Sequence, residues 1–211
     1  MDVKAVVVDW ARSPFHRAHK GSLRGMRPDD LAAHVIKELI SRNDIDASDF
    51  DDVLMGCGYP EAEQGYNIGR LVSFLAGLPD SVPGVTINRL CGSSMHAVLS
   101  AVANIESGWG DCYLCAGVES MSRVQRRGFN WSPHPGLELD WPEAYVTMGQ
   151  TAENIADEWG VSRADQEAFA LDSHFKASAA LEAGAFEGEI IPIVDGQDIV
   201  ASDGCIRSNS T

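Results

Sequence analysis

Short apolar runs alternate with helical patterns along the first 119 residues, and this alternation leaves the chain few possible folds. Val3 to Val8 is a nearly continuous β-branched run, the pattern of a strand covered on both faces. RPDD signals a helix start, and Leu31, Val35, Ile36, Leu39 and Ile40 then fall on one helical face. DDVLMGCG reads as a second strand. Ile68 to Leu78 reads as a second helix, stopped by Pro79. VTIN is a third strand and leads through the turn NRLCGSS into an apolar, Ala-rich helix from Met95 to Ile105, which Gly108 and Gly110 end. CYLCAGVE is a fourth strand. The order β-α-β-α-β-α-β predicts an α/β fold, with a mixed, mostly parallel sheet and helices on both faces.

The character changes after Glu119, which sets the expected domains at 1–119 and 120–211. Ser120 to Val146 is long and irregular, with Pro133, Pro135 and Pro142, as in lids and interaction loops. A helical stretch runs from Met148 to Trp159. SRAD then opens a further helix with a capping-box pattern, and that helix ends at Gly184. EIIPIV reads as a strand in which Pro192 marks an edge or a strand end. The final RSNST carries no terminating structure of its own, so the chain is expected to be cut rather than finished there.

A formal net charge of −15 argues against a nucleic-acid partner, which needs clustered Lys and Arg. Arg123, Arg126 and Arg127 form the local exception, read either as a solvated loop or as a contact for a phosphorylated ligand. No apolar stretch is long enough to span a bilayer, so no membrane partner is expected. The opening residues lack a signal-peptide pattern, and the five cysteines are an odd number. A soluble, cytoplasmic protein with reduced thiols is the expectation. Cys112 and Cys115 make a C-x-x-C, but no second pair completes a zinc set, so no metal site is assigned. There is no phosphate-cradling glycine motif.

Cys91 is the candidate nucleophile. It falls between a predicted strand end and a predicted helix start. The first turn of a helix carries unpaired N–H groups and partial positive charge, which stabilise a thiolate. The same N–H groups can stabilise an oxyanion on a carbonyl under attack. Gly92, Ser93 and Ser94 leave the approach uncrowded for a thioester. A buried structural cysteine beside a tight turn is the competing interpretation of these residues.

Six blocks along the chain carry a resemblance. They are DWARSPFHRAHKGSLRG, GCGYPEAEQGYNIGR, NRLCGSSMHAV, AGVESMSR, the segment from YVTMGQTAEN to DSHFKA, and SDGCIR. In this order they resemble the thiolase family over essentially the whole chain, closest to bacterial 3-ketoacyl-CoA thiolases. Ser13 stands where Thr is common, Ala116 at a usual glycine and Gly204 at a usual Glu. The resemblance implies that Cys91 attacks the 3-keto carbon of a 3-ketoacyl-CoA. Acetyl-CoA then leaves, the acyl group stays on Cys91, and a second CoA removes it. The reverse direction is a Claisen condensation. The family's Gly-His-Pro, Asn-Glu-Ala and Cys-x-Gly motifs lie in its carboxy-terminal half and are not in this chain.

By the same resemblance, Met148 lines the pantetheine tunnel. Thr147 stands where short-chain biosynthetic members often carry His, which implies a preference for medium or longer 3-ketoacyl chains. No cofactor is implied, coenzyme A being a substrate. The implied partners are acyl-CoA and CoA, together with a homo-oligomer or a hetero-oligomer with the missing carboxy-terminal half. VTIN resembles the strand that meets its counterpart across the family's dimer, and the exposed helical face is expected to be apolar. Alone, the chain is expected to acylate weakly and not to turn over. Two other functions compete: a ketoacyl synthase-like condensing enzyme, and a non-catalytic half-thiolase that only supports assembly.

Overall fold

The computed structural model describes residues 5–196 and 198–211, which divide into two compact units. The first contains the residues up to Phe129 and returns for Glu187–Cys205; the second contains Asn130–Phe186 and Ile206–Thr211.

The first unit is built on a three-stranded parallel sheet. In chain order its elements are α1 (Pro28–Ser41), β1 (Asp52–Gly56), α2 (Ile68–Leu75), β2 (Gly84–Ile87), α3 (Ser93–Ser107) and β3 (Tyr113–Gly117). β1 is central and pairs in parallel with β2 and with β3, so Gly56 lies level with Ile87 on one side and Gly117 on the other. All three strands therefore end at the same edge. A two-stranded antiparallel hairpin, β4 (Ile193–Asp195) with β5 (Asp198–Val200), completes this unit. β4 begins immediately after Pro192, which agrees with its reading as a strand end.

The period of two along β1 divides the core. Val53 and Met55 join Ala33 and Ile36 of α1 and Ile68 and Val72 of α2 on one face. Leu54 points the other way, to Ala97 and Ala101 of α3. Each fully buried aliphatic side chain of this size stabilises the fold by about 1.5–3 kcal/mol. α2 is seated on β2 by close backbone approach at Gly69, where an added Cβ would lie 2.3 Å from the Val85 carbonyl oxygen. Asn67, left-handed at φ 59°, fixes the start of that helix: it donates to Gly84 O at 2.8 Å and accepts from Thr86 Oγ1 at 2.8 Å.

α3 is seated in the same manner. A Cβ on Gly56 would lie 2.4 Å from Ser94 N, and one on Gly117 would lie 2.8 Å from Ser94 Cβ. The first turn of α3 thus rests on the glycines that end β1 and β3.

The expected first strand is not formed. Val3 lies outside the described residues, and Ala5–Val8 make no strand, with Val6 75% exposed. A β-branched run becomes a strand only where a neighbour offers a ladder, and among the described residues no strand pairs with Ala5–Val8. The nearest feature is an isolated parallel bridge from Arg12 to Ile190. The outer face of α3 is apolar as expected, with Met95, Val98 and Leu99 exposed.

The second unit is helical: α4 (Pro135–Asp140), α5 (Met148–Trp159) and α6 (Arg163–Glu182). α4 lies inside the stretch read as irregular. It forms because Pro135 takes the first helical position and the His134 side chain caps the Leu137 amide. α5 has the bounds read from sequence. α6 opens on the expected capping box, Ser162 and Asp165 each capping the other's backbone amide. No helix is long and apolar enough to cross a membrane among the described residues.

Overpacking a closed contact costs about 1–3 kcal/mol, and Gly56→Ala is expected to lower the unfolding free energy by that amount. Gly25→Ala is expected to leave it unchanged, since nothing lies within 4 Å of a Cβ there. Urea midpoints of the two variants measure the difference.

Candidate active site

The turn between β2 and α3 places Cys91 at the carboxyl edge of the parallel strands, outside which α/β sheets bind their ligands. Cys91 is exposed, so it is not the buried structural cysteine of the competing interpretation. It immediately precedes Gly92, the N-cap of the 15-residue α3. The Gly92 and Ser93 amides turn back to Arg89 O and Leu90 O. The Ser94 and Met95 amides make no hydrogen bond among the described residues, and no acidic side chain occupies the first turn. Two unpaired donors and the positive end of a helix therefore lie within four residues of Cys91.

The backbone before Cys91 is held in an unusual state. Leu90 has φ 50°, a left-handed conformation that costs a residue with a side chain about 1–3 kcal/mol. Two side chains hold it there. Asn88 Oδ1 accepts from Leu90 N at 2.9 Å. Ser93 Oγ donates to Leu90 O at 2.6 Å and accepts from Arg89 N at 2.9 Å. The sequence marks Ser93 only as a small residue that leaves the approach uncrowded, and Asn88 not at all. Their signal was an Asn two residues before the turn's apex and a Ser in the first helical turn, both common turn and cap residues.

Three of the other four cysteines are less exposed than Cys91. Burial pushes the thiols of Cys57 and Cys115 up to about 11, and that of Cys112 upward. Cys205 is exposed. Thr147 and Met148 lie in the second unit, at the start of α5. Thr147 caps that helix by accepting from Gln150 N at 3.2 Å, and Met148 is exposed. Arg123, one of the three clustered arginines, is committed to an ion pair with Glu63 and a bond to Gly25 O. A cavity of about 290 Å³ beside β3, lined by Pro14, Leu31, Val35 and Leu114, does not include Cys91.

Arg12 forms the other conspicuous polar cluster of the first unit. Its guanidinium grips Asp203 through two nitrogens at 2.7 and 2.9 Å and reaches Glu189 at 2.5 Å. Asp203 also accepts from Phe15 N at 2.7 Å, and the Glu189 carbonyl accepts from Arg12 N at 2.9 Å. These partners lie up to 191 positions apart, and no local pattern announces the pairing. Gly204, where the resemblance places Glu, has a physical reason: a Cβ there would lie 2.5 Å from His16 Nδ1.

The hydrogen bonds from Arg12 hold the Asp203 carboxyl below its ordinary range. A folded-state value below the unfolded one stabilises the fold above the unfolded value of ~3.9, and this stability is lost as pH falls through the folded value. Asp203→Asn is expected to cost about 1–3 kcal/mol at neutral pH, a gap that closes as pH falls below ~4. Urea unfolding at both pH values measures it.

The family described as "Thiolase, N-terminal domain" matches residues 5–211. A 3-ketoacyl-CoA thiolase of Bacillus subtilis (strain 168) is 45% identical over 190 residues, 90% of this chain and 49% of that protein. One from Pseudoalteromonas translucida (strain TAC 125) is 43% identical over 212 residues, 98% of this chain and 54% of that protein. The crystal structure of the Bacillus anthracis acetyl-CoA acetyltransferase matches with a TM-score of 0.80 and 30% identity, covering 95% of this chain and 54% of that one. The chain spans about half the length of these relatives. This structural likeness bears out the α/β, thiolase-like fold expected from the sequence.

Proposed function

The chain belongs to the thiolase family, and from that premise we propose that it is the amino-terminal half of a 3-ketoacyl-CoA thiolase in which Cys91 carries the acyl group. The observation that supports this most is the placement of an exposed Cys91 at the start of α3, beside unpaired backbone amides.

The chemistry follows from that placement. The Cys91 thiolate attacks the C3 carbonyl carbon of a 3-ketoacyl-CoA, and the carbonyl oxygen takes up negative charge. Amides at the start of α3 are the donors this chain can offer to that charge. As the oxyanion collapses, the C2–C3 bond breaks and its electron pair passes to C2. An acid from the carboxy-terminal half protonates C2, and acetyl-CoA leaves. The acyl group remains on Cys91 as a thioester. The thiol of a second CoA, deprotonated by a base of that half, attacks the thioester and frees the enzyme thiolate. Coenzyme A is substrate throughout and no further cofactor takes part. Thr147 and Met148, at the α5 start, are assigned to the pantetheine and acyl side, with a preference for medium or longer chains. A cytoplasmic oligomer that includes the carboxy-terminal half completes the proposal.

Reassembled with a carboxy-terminal half bearing the Gly-His-Pro and Cys-x-Gly motifs, the protein is expected to become acetylated at Cys91 by acetyl-CoA. Acetyl-carrier protein is not expected to acetylate it, and Cys91→Ser is expected to abolish the modification, both read by peptide mass. Acylation only from carrier protein would make it a condensing enzyme of the ketoacyl synthase type, and no acylation from either would make it an assembly subunit. Turnover of acetoacetyl-CoA equal to or better than that of longer 3-ketoacyl-CoA substrates would refute the chain-length assignment.

A further inference from the structure

We propose that Gln64, Glu119 and Asn88 form a relay that positions Cys91, an inference that rests on the acyl-Cys91 reading. The relay starts in the core. Gln64 is a fully buried side chain in the loop before α2. Its amide nitrogen donates to Tyr59 O at 2.9 Å and to the Glu119 carboxylate, and its amide oxygen accepts from Ser120 N at 2.7 Å. A buried amide with its donor and acceptor both engaged has one orientation, so it fixes Glu119 at the end of β3.

Glu119 passes this order toward the cysteine. Its other carboxylate oxygen accepts from Gly58 N at 2.8 Å, a charge-assisted bond across 61 positions of sequence. The Gly58 carbonyl accepts from Asn88 Nδ2 at 3.0 Å. The Asn88 Oδ1 accepts from Leu90 N at 2.9 Å, on the left-handed residue that precedes Cys91. A Cβ on Gly58 would crowd this bond, lying 2.9 Å from Glu119 Oε2 and 3.4 Å from Leu90 Cα. Asn88 is thus held through both ends of its amide, and the strained turn is tied to the core instead of resting on its own loop. None of the three side chains reaches the reacting atoms. Their part is to keep Leu90 left-handed, and so to fix the backbone that carries Cys91 into α3.

The test is the rate at which iodoacetamide alkylates each cysteine of the 211-residue chain at about pH 8, followed by peptide mass. Exposed Cys205 serves as the internal reference, and buried Cys57 reports unfolding. In the wild-type chain Cys91 is expected to react faster than Cys205. Asn88→Ala and Glu119→Ala are each expected to slow Cys91 by about tenfold or more, with Cys205 unchanged and Cys57 protected. Glu119→Gln keeps one acceptor, for either Gly58 N or Gln64 Nε2 but not for both, and is expected to restore the rate only in part. An unchanged Cys91 rate in Asn88→Ala and Glu119→Ala would overturn the relay. Slowing accompanied by Cys57 labelling would overturn it too, since the residues would then be general fold elements. A wild-type Cys91 no faster than Cys205 would instead sink the nucleophile reading beneath it.

Discussion

The close approach of the first turn of α3 to the glycines that end β1 and β3 is the constraint on which the rest of the structure depends. Gly56 and Gly117 lie level in the parallel register, and Ser94 sits against both. A side chain at Gly56 would push against the α3 backbone, and one at Gly117 would meet the Ser94 side chain. With the helix down, the turn from β2 must cover the distance from Ile87 to Ser93 in five residues, and it does so by forcing Leu90 into a left-handed conformation. Close packing, a tight turn and the exposure of Cys91 are therefore one arrangement seen at three levels. Asn88 and Ser93 exist in this arrangement as clamps on a backbone that would otherwise relax.

Much of this was legible from sequence. The alternation of Val53, Leu54 and Met55 divides the core as a period of two requires. The capping box at Ser162 and the bounds of α5 follow from local chemistry. Cys91 stood out because a strand, a turn rich in small residues and a helix each leave a local mark. Val3 to Val8 has the composition of a strand, but pairing is a property of a neighbour, and Ala5–Val8 meet none here. Gln64 looked like any loop glutamine. Its burial depends on Glu119 and Ser120, more than 50 positions away, and no periodicity encodes that. The Arg12–Asp203 pair is hidden for the same reason.

Two sets of polar side chains in the first unit have different tasks. Arg12, Glu189 and Asp203 join the early loop to the chain that returns near residue 190, and their work is stability. Gln64, Glu119 and Asn88 run from the core to the turn before the cysteine, and their work is geometry. The second unit contributes no buried residue from α5 or α6, while α3 shows an apolar outer face. Such surfaces suit a chain that matches only half the length of its relatives.

In the proposed mechanism the start of α3 supplies amide donors to chemistry at Cys91. A crystal structure of the protein trapped as the Cys91 thioester tests it most directly. The expected result is an acyl carbonyl oxygen within about 3 Å of a backbone N–H between Cys91 and Met95. An acyl oxygen turned toward solvent or toward side chains alone, with those amides left unengaged, would contradict it.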